Sequence, residues 1–136
     1  MPHKFIPPGH IADSGLLSTC IAVFIYSRQH HEAYGVHLGS FTLDNLDYMI
    51  RDAIAKFGSP DGLEVYVAGS ESMFAESYDM ITMHKQEYVI NALKQSGLRP
   101  ENTFIQWTPP HAEDFIMTVM TLDVDSGIVT LTHKAL

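Results

Sequence analysis

The run Asp13-Ser14-Gly15-Leu16-Leu17-Ser18-Thr19-Cys20 ends in the single cysteine of the chain, and His37 follows 17 positions later. A thiol becomes a strong nucleophile only as its thiolate, so it needs a neighbouring base to take the proton and an electropositive setting to hold the charge. Cys20 stands at the entrance to an apolar run, after a turn of small polar residues. Such an edge is expected to leave backbone N–H groups around Cys20 unpaired and able to cradle an oxyanion. His37 lies in the next extended segment. Pairing it with Cys20 centres a hairpin between residues 28 and 29, inside the polar stretch Ser27-Arg-Gln-His-His-Glu32. In that arrangement His37 is the base and the Ser14 hydroxyl orients its ring. Each residue also has a plainer reading. A free cysteine on an apolar strand is commonly a small core hydrophobe, a lone histidine a satisfied polar group, and Ser-Gly an ordinary turn.

The elements that must position these residues follow from periodicity. Cys20-Ile-Ala-Val-Phe-Ile-Tyr26 is apolar on both alternating faces and predicts a strand buried on both sides. Tyr34-Gly-Val-His-Leu38 predicts its hairpin partner. Leu46, Met49, Ile50, Ala53, Ile54 and Phe57 recur at three- and four-residue steps, which predicts a helix capped at Asp44 or Asn45 and stopped at Gly58. A strand over Leu63 to Ala68 and a mixed loop over Glu71 to Ile81 follow, then a second helix over Lys85 to Ser96 with Thr82 as its cap and Gly97 as its stop. Thr103 to Trp107, Phe115 to Asp123 and Ile128 to His133 read as three further strands, the last two joined by a hairpin at Asp125-Ser-Gly127. The expected class is α+β, a layered β-sandwich core flanked by helices, in a single domain over residues 1–136.

Composition narrows the partners. The 136 residues carry 8 Lys+Arg against 16 Asp+Glu, a net charge of −8, and the basic residues are scattered. That pattern opposes a nucleic-acid footprint, which needs clustered cations to release counterions. No apolar run reaches the roughly 18 residues of a membrane span, and MPHKFIPPGH lacks the layout of a signal peptide. Membrane insertion is not expected. The expected location is the cytoplasm, with secretion by a signal-less route left open. One cysteine allows neither an internal disulfide nor a paired-cysteine zinc site.

The order of motifs resembles the CheD chemoreceptor glutamine deamidases. Ser14, Cys20 and His37 follow the spacing of that family's Thr/Cys/His set, with Gly35-Val-His37 one residue shorter than its Gly-x-x-His. Leu17-Ser-Thr-Cys20 resembles the Leu-Ser-Gly-Cys motif of the deamidating toxins of the cytotoxic necrotizing factor and Burkholderia lethal factor group. Gly69-Ser-Glu-Ser-Met73-Phe74, the helix Tyr88 to Leu98, and Asp125-Ser-Gly127-Ile-Val129 resemble further family segments, and together the match runs over about residues 12–133. Three departures stand out. Ser14 replaces Thr, Thr19 replaces a small residue, and Thr108-Pro-Pro-His-Ala-Glu-Asp114 replaces a Gly-rich loop.

The resemblance implies a hydrolase that deamidates a glutamine of a protein substrate through a thioester. Cys20, His37 and Ser14 would be its catalytic residues, Ser18, Thr19, Gly35 and His111 its oxyanion or cleft residues, and it would use neither metal nor other cofactor. Three alternatives remain. One is another thiol acyl-transferase or hydrolase, and one is an inactive partner-binding relative. The third is a metal site at His30, His31, Glu32 and His37. Met73, Met80, Met83 and Met117 with Phe74 and Tyr78 read as core filling or a groove, and Glu113 and Asp114 beside His111 as exposed loop.

Overall fold

The computed structural model describes residues 3–70, 80–108 and 116–135. Its elements run β1 (His3–Ile6), β2 (Ile11–Asp13), β3 (Ile21–Ser27), β4 (Glu32–Leu38), α1 (Asn45–Phe57), β5 (Leu63–Gly69), α2 (Met80–Gln95), a 3-10 turn (Pro100–Asn102), β6 (Thr103–Trp107), β7 (Ile116–Asp123) and β8 (Ile128–Ala135). One sheet has the order β1-β4-β3-β5-β6, with β6 parallel to β5 and the other neighbours antiparallel. A second has the order β2-β7-β8. This is the expected α+β class, a layered sandwich with helices on one flank.

β3 explains the layering, because all seven of its residues are buried. Ile21, Val23 and Ile25 join Met49, Ala53, Val89 and Leu93 of the helices in one core. Ala22, Phe24 and Tyr26 join Leu17, Met120, Leu122 and Val124 in a second core between the sheets. Side chains alternate along a strand, so a doubly apolar sequence must be covered on both sides. Tyr26 carries the one hydroxyl within that strand's second face, and it donates to the Val124 carbonyl at 2.7 Å, tying the two sheets together.

β1 and β2 are absent from the expected element order. They are four and three residues long and flank Pro7-Pro8-Gly9, so neither shows enough alternation to register. Their role is to carry the chain from the first sheet, where β1 pairs with β4, to the second, where β2 pairs with β7. α1 matches its expectation: Gly58 closes it in the left-handed region at φ +83°, although Asp44 at the N-cap makes no side-chain hydrogen bond. α2 starts at Met80, so Thr82 is a buried residue inside the first turn and not the cap. The earlier start is hidden because Lys85 and Gln86 are buried beside it, which breaks the amphipathic pattern. The β7–β8 turn forms as expected, with Gly127 at φ +72°.

Replacing Tyr26 by Phe removes the shorter of the two contacts to the Val124 carbonyl and leaves it His31 alone at 3.3 Å. The expected cost is about 1–2 kcal/mol, read as a lower urea midpoint with an unchanged slope.

Candidate functional site

The cross-strand register sets the geometry. Ala22 pairs with His37 and Ile21 with Leu38, so the β3–β4 hairpin is centred between residues 29 and 30, not between 28 and 29. The four-residue loop closes with His31 in the left-handed region at φ 53°. Cys20 and His37 are therefore not direct partners. His37 stands opposite Ala22 on the inter-sheet face, and Cys20, one residue before β3, packs half-buried against the second core.

Ser14 does meet His37, by a different atom from the one expected. The His37 Nδ1 stands 3.1 Å from the Ser14 backbone carbonyl. A carbonyl only accepts, so Nδ1 carries the hydrogen and Nε2 presents a lone pair. The Ser14 hydroxyl is engaged elsewhere. It accepts the Met120 N–H at 2.9 Å and donates to the Gly15 carbonyl at 2.7 Å, while the Ser14 N–H donates to the Met120 carbonyl. The side chain prolongs the β2–β7 pairing by one hydrogen bond and holds the carbonyl that orients His37.

Backbone packing fixes the turn before Cys20. Leu17 and Thr118 exchange two hydrogen bonds at 2.8 and 2.9 Å, and the Cys20 carbonyl accepts the Ser70 N–H at 2.8 Å. Gly69 lies so close that a Cβ there would stand 2.3 Å from the Cys20 oxygen, and its φ is +104°. Ser70 is buried at φ 61° and accepts a hydrogen bond from Gln86 Nε2. The buried Lys85 donates through Nζ to the Thr19 carbonyl. Among the described residues, the backbone N–H groups of Ser18 and Thr19 meet no acceptor. Both residues are half-buried.

A cleft of about 520 Å³ opens beside His37, walled by Ile6, Ile11, Ser14, Gly35 and His37 among others. Gly35 is there as expected, and an added Cβ would press the Phe24 ring at 3.1 Å. Cys20 does not line this cleft. His111 lies outside the described residues, as do Met73, Phe74, Tyr78, Glu113 and Asp114. The alternative metal set is dispersed. His30 bonds Ser27 and stacks on Phe57, His31 bonds the Val124 carbonyl, and Glu32 faces Lys56. Among the described residues no group of three His, Cys, Asp or Glu side chains is placed to hold a metal ion. No described helix is long and apolar enough to cross a membrane.

Sequence reasoning passed over Gly69, Ser70, Lys85 and a polar chain from Thr108 through Thr118 to His133. One signal for the last was present. The β7–β8 register puts Thr118 and His133 on the same stripe as Met120, Leu122, Leu131 and Val129, a polar pair at the end of an apolar row.

No protein-family model matches the chain, and no curated protein matches it. Among solved structures it is similar to the hypothetical protein YfiH of Bacillus licheniformis, with a TM-score of 0.59 and 12% identity over 78% of this chain. It is also similar to YlmD of Geobacillus stearothermophilus, with a TM-score of 0.60 and 8% identity over 80% of this chain. The chain spans 50% of the length of each. At such identities the likeness is one of fold.

Two variants separate the parts of this site. Gly69→Ala forces the Cys20 carbonyl away and strains a left-handed position, with an expected loss on the order of 3 kcal/mol in urea unfolding. Ser14→Ala loses the hydrogen bond from Met120 and is expected to cost about 1 kcal/mol, while the His37 Nδ1–H signal in NMR persists because the carbonyl remains.

Proposed function

We propose that the protein is a cysteine hydrolase that deamidates a glutamine side chain of a protein substrate, with Cys20 as nucleophile and His37 as base. The observation that carries the reading is the 3.1 Å contact between His37 Nδ1 and the Ser14 carbonyl. With Nδ1–H held by the Ser14 carbonyl, Nε2 is the basic nitrogen, and His37 stands opposite Ala22, which shares the second core with Cys20. A general base must present an unprotonated nitrogen toward its target, and contacts that are long in the free protein tighten around substrate.

In this mechanism Nε2 takes the Cys20 proton and the thiolate attacks the carboxamide carbon. The resulting oxyanion is met by the unpaired N–H groups of Ser18 and Thr19. Nε2–H then protonates the leaving nitrogen, ammonia departs, and a γ-glutamyl thioester remains. Water, deprotonated by the same nitrogen, releases glutamate and restores the thiol. Ser14 acts through its main chain in orienting the ring, the part taken by the third member of other Cys-His sites.

The resemblance to the CheD deamidases supports the choice of glutamine. Within the described residues, its helix segment coincides with α2 followed by Gly97 at φ +85°, and its closing hairpin coincides with the turn at Gly127. The Met73-Phe74 segment and the loop at His111 lie outside the described residues and add nothing. Transfer of the acyl group to an amine shares the first half of this reaction, and the 520 Å³ cleft reaching His37 has room for such an acceptor.

Native protein is expected to react with iodoacetamide at Cys20, and His37→Ala to slow that reaction at neutral pH by about a hundredfold, the scale of a positioned base. A thiol that stays inert until unfolding would make Cys20 a core residue. With a glutamine substrate in hand, ammonia release without shortening of the chain, abolished in a folded Cys20→Ala protein, is the expected product test. Retained turnover in that variant would end the proposal.

A further inference from the structure

Thr108, Thr118 and His133 form a buried chain of hydrogen bonds that ends at the surface. The two hydroxyl oxygens are 2.5 Å apart, and the Thr118 hydroxyl is 3.0 Å from His133 Nδ1. Thr108 is 3% exposed and Thr118 0%, so neither hydroxyl turns to water. Each hydroxyl has one hydrogen to place. Were His133 Nδ1 the donor, Thr118 would donate to Thr108, and the Thr108 hydrogen would have no acceptor among the described residues. A buried donor left unpaired is costly. The direction that satisfies both runs from Thr108 to Thr118 to His133, so Nδ1 accepts and the ring hydrogen sits on Nε2.

This chain abuts the turn that carries Cys20. The Thr108 N–H donates to the Gly69 carbonyl at 2.8 Å, Gly69 lies against the Cys20 carbonyl, and Thr118 exchanges two backbone hydrogen bonds with Leu17. His133 sits opposite Thr118 on β8, on the inter-sheet side of the second sheet. Its ring is exposed, with Nδ1 fixed behind it. A neutral imidazole held in this way is a hydrogen-bond donor and not a base, and its natural partner is a neutral carbonyl oxygen.

We propose that His133 is a second imidazole of the site, a substrate-binding residue whose Nε2–H holds a carbonyl oxygen of the amide substrate, with Thr108 and Thr118 as its positioning residues. The proposal rests on the reading of Cys20 as nucleophile. It assigns the two histidines opposite tautomers and opposite tasks: His37 takes protons, and His133 offers one without giving it up.

The test has two readouts on the full chain. Nitrogen-15 shifts of the His133 ring are expected to show the Nε2–H form, and Thr118→Val to abolish that preference. An Nδ1–H form in the unaltered protein would overturn the proposal. The second readout compares the alkylation of Cys20 by iodoacetyl-glycinamide, which carries amide carbonyls, with its alkylation by methyl iodide, which carries no oxygen acceptor. His133→Phe is expected to lower the first rate about tenfold, the worth of one hydrogen bond, and to leave the second unchanged. His133→Gln, which keeps a donor at the same reach, is expected to restore most of the loss. Equal rates in His133→Phe and the unaltered protein, or an equal fall with both reagents, would overturn the proposal while leaving Cys20 as nucleophile. A Cys20 inert to both reagents would strike down the nucleophile reading, and with it this one.

Discussion

The close approach of Gly69 to Cys20 is the constraint on which the rest of the site depends. Two backbones meet there with no room for a Cβ, at a φ that side chains resist. Because they meet, the Ser70 N–H reaches the Cys20 carbonyl and the Thr108 N–H reaches the Gly69 carbonyl. β3, β5 and β6 are thus locked together at the end where the thiol stands. Leu17, three residues earlier, is held from the other sheet by Thr118. The segment between them is pinned at both ends, and its N–H groups at Ser18 and Thr19 meet no acceptor among the described residues.

That end of the sandwich is also where the polar groups have been taken inside. Lys85, Gln86, Ser70, Thr108 and Thr118 are all buried there, with His3, Ser14, Ser27 and Thr82 the other buried polar residues among those described. Burying a polar group is unfavourable unless it is paired, and burying an ammonium is more so. Here the partners are one another or the carbonyls of the turn: Lys85 on Thr19, Gln86 on Ser70, Thr108 on Thr118. A core designed for stability alone would fill these positions with Leu and Val.

The fold was legible where periodicity was strong. β3 announced burial on both faces, and α1 announced its apolar stripe and its glycine stop. β1 and β2 were illegible because three or four residues beside Pro-Pro-Gly carry no period. α2 was read short because Lys85 and Gln86 lie on its buried side. Of the candidate site residues, Cys20 does not line the cleft that His37 borders. Ser14, Gly35 and His37 do converge on one cleft, but the register slipped by two positions, since a polar turn fixes the loop's composition and not its centre. The Ser14 hydroxyl was given a task that its main-chain carbonyl performs. Sequence shows side chains, and a contact made by a carbonyl is invisible to it.

A two-histidine site gains from holding its rings in different protonation patterns. A neutral imidazole has one donor and one acceptor, and whichever nitrogen is engaged by the protein decides what the other offers. At His37 the protein supplies an acceptor, a carbonyl that cannot donate, so the outward nitrogen is basic. At His133 it supplies a donor, the Thr118 hydroxyl, which accepts from a Thr108 hydroxyl that has no other acceptor among the described residues, so the outward nitrogen is an N–H. The carbonyl comes from the chain between the two sheets and the hydroxyl from inside the second sheet. Both are fixed by the same Leu17–Thr118 and Ser14–Met120 backbone pairings. One registration of β7 against the segment 14–17 therefore sets both tautomers, and a shift of that registration would disturb both rings together.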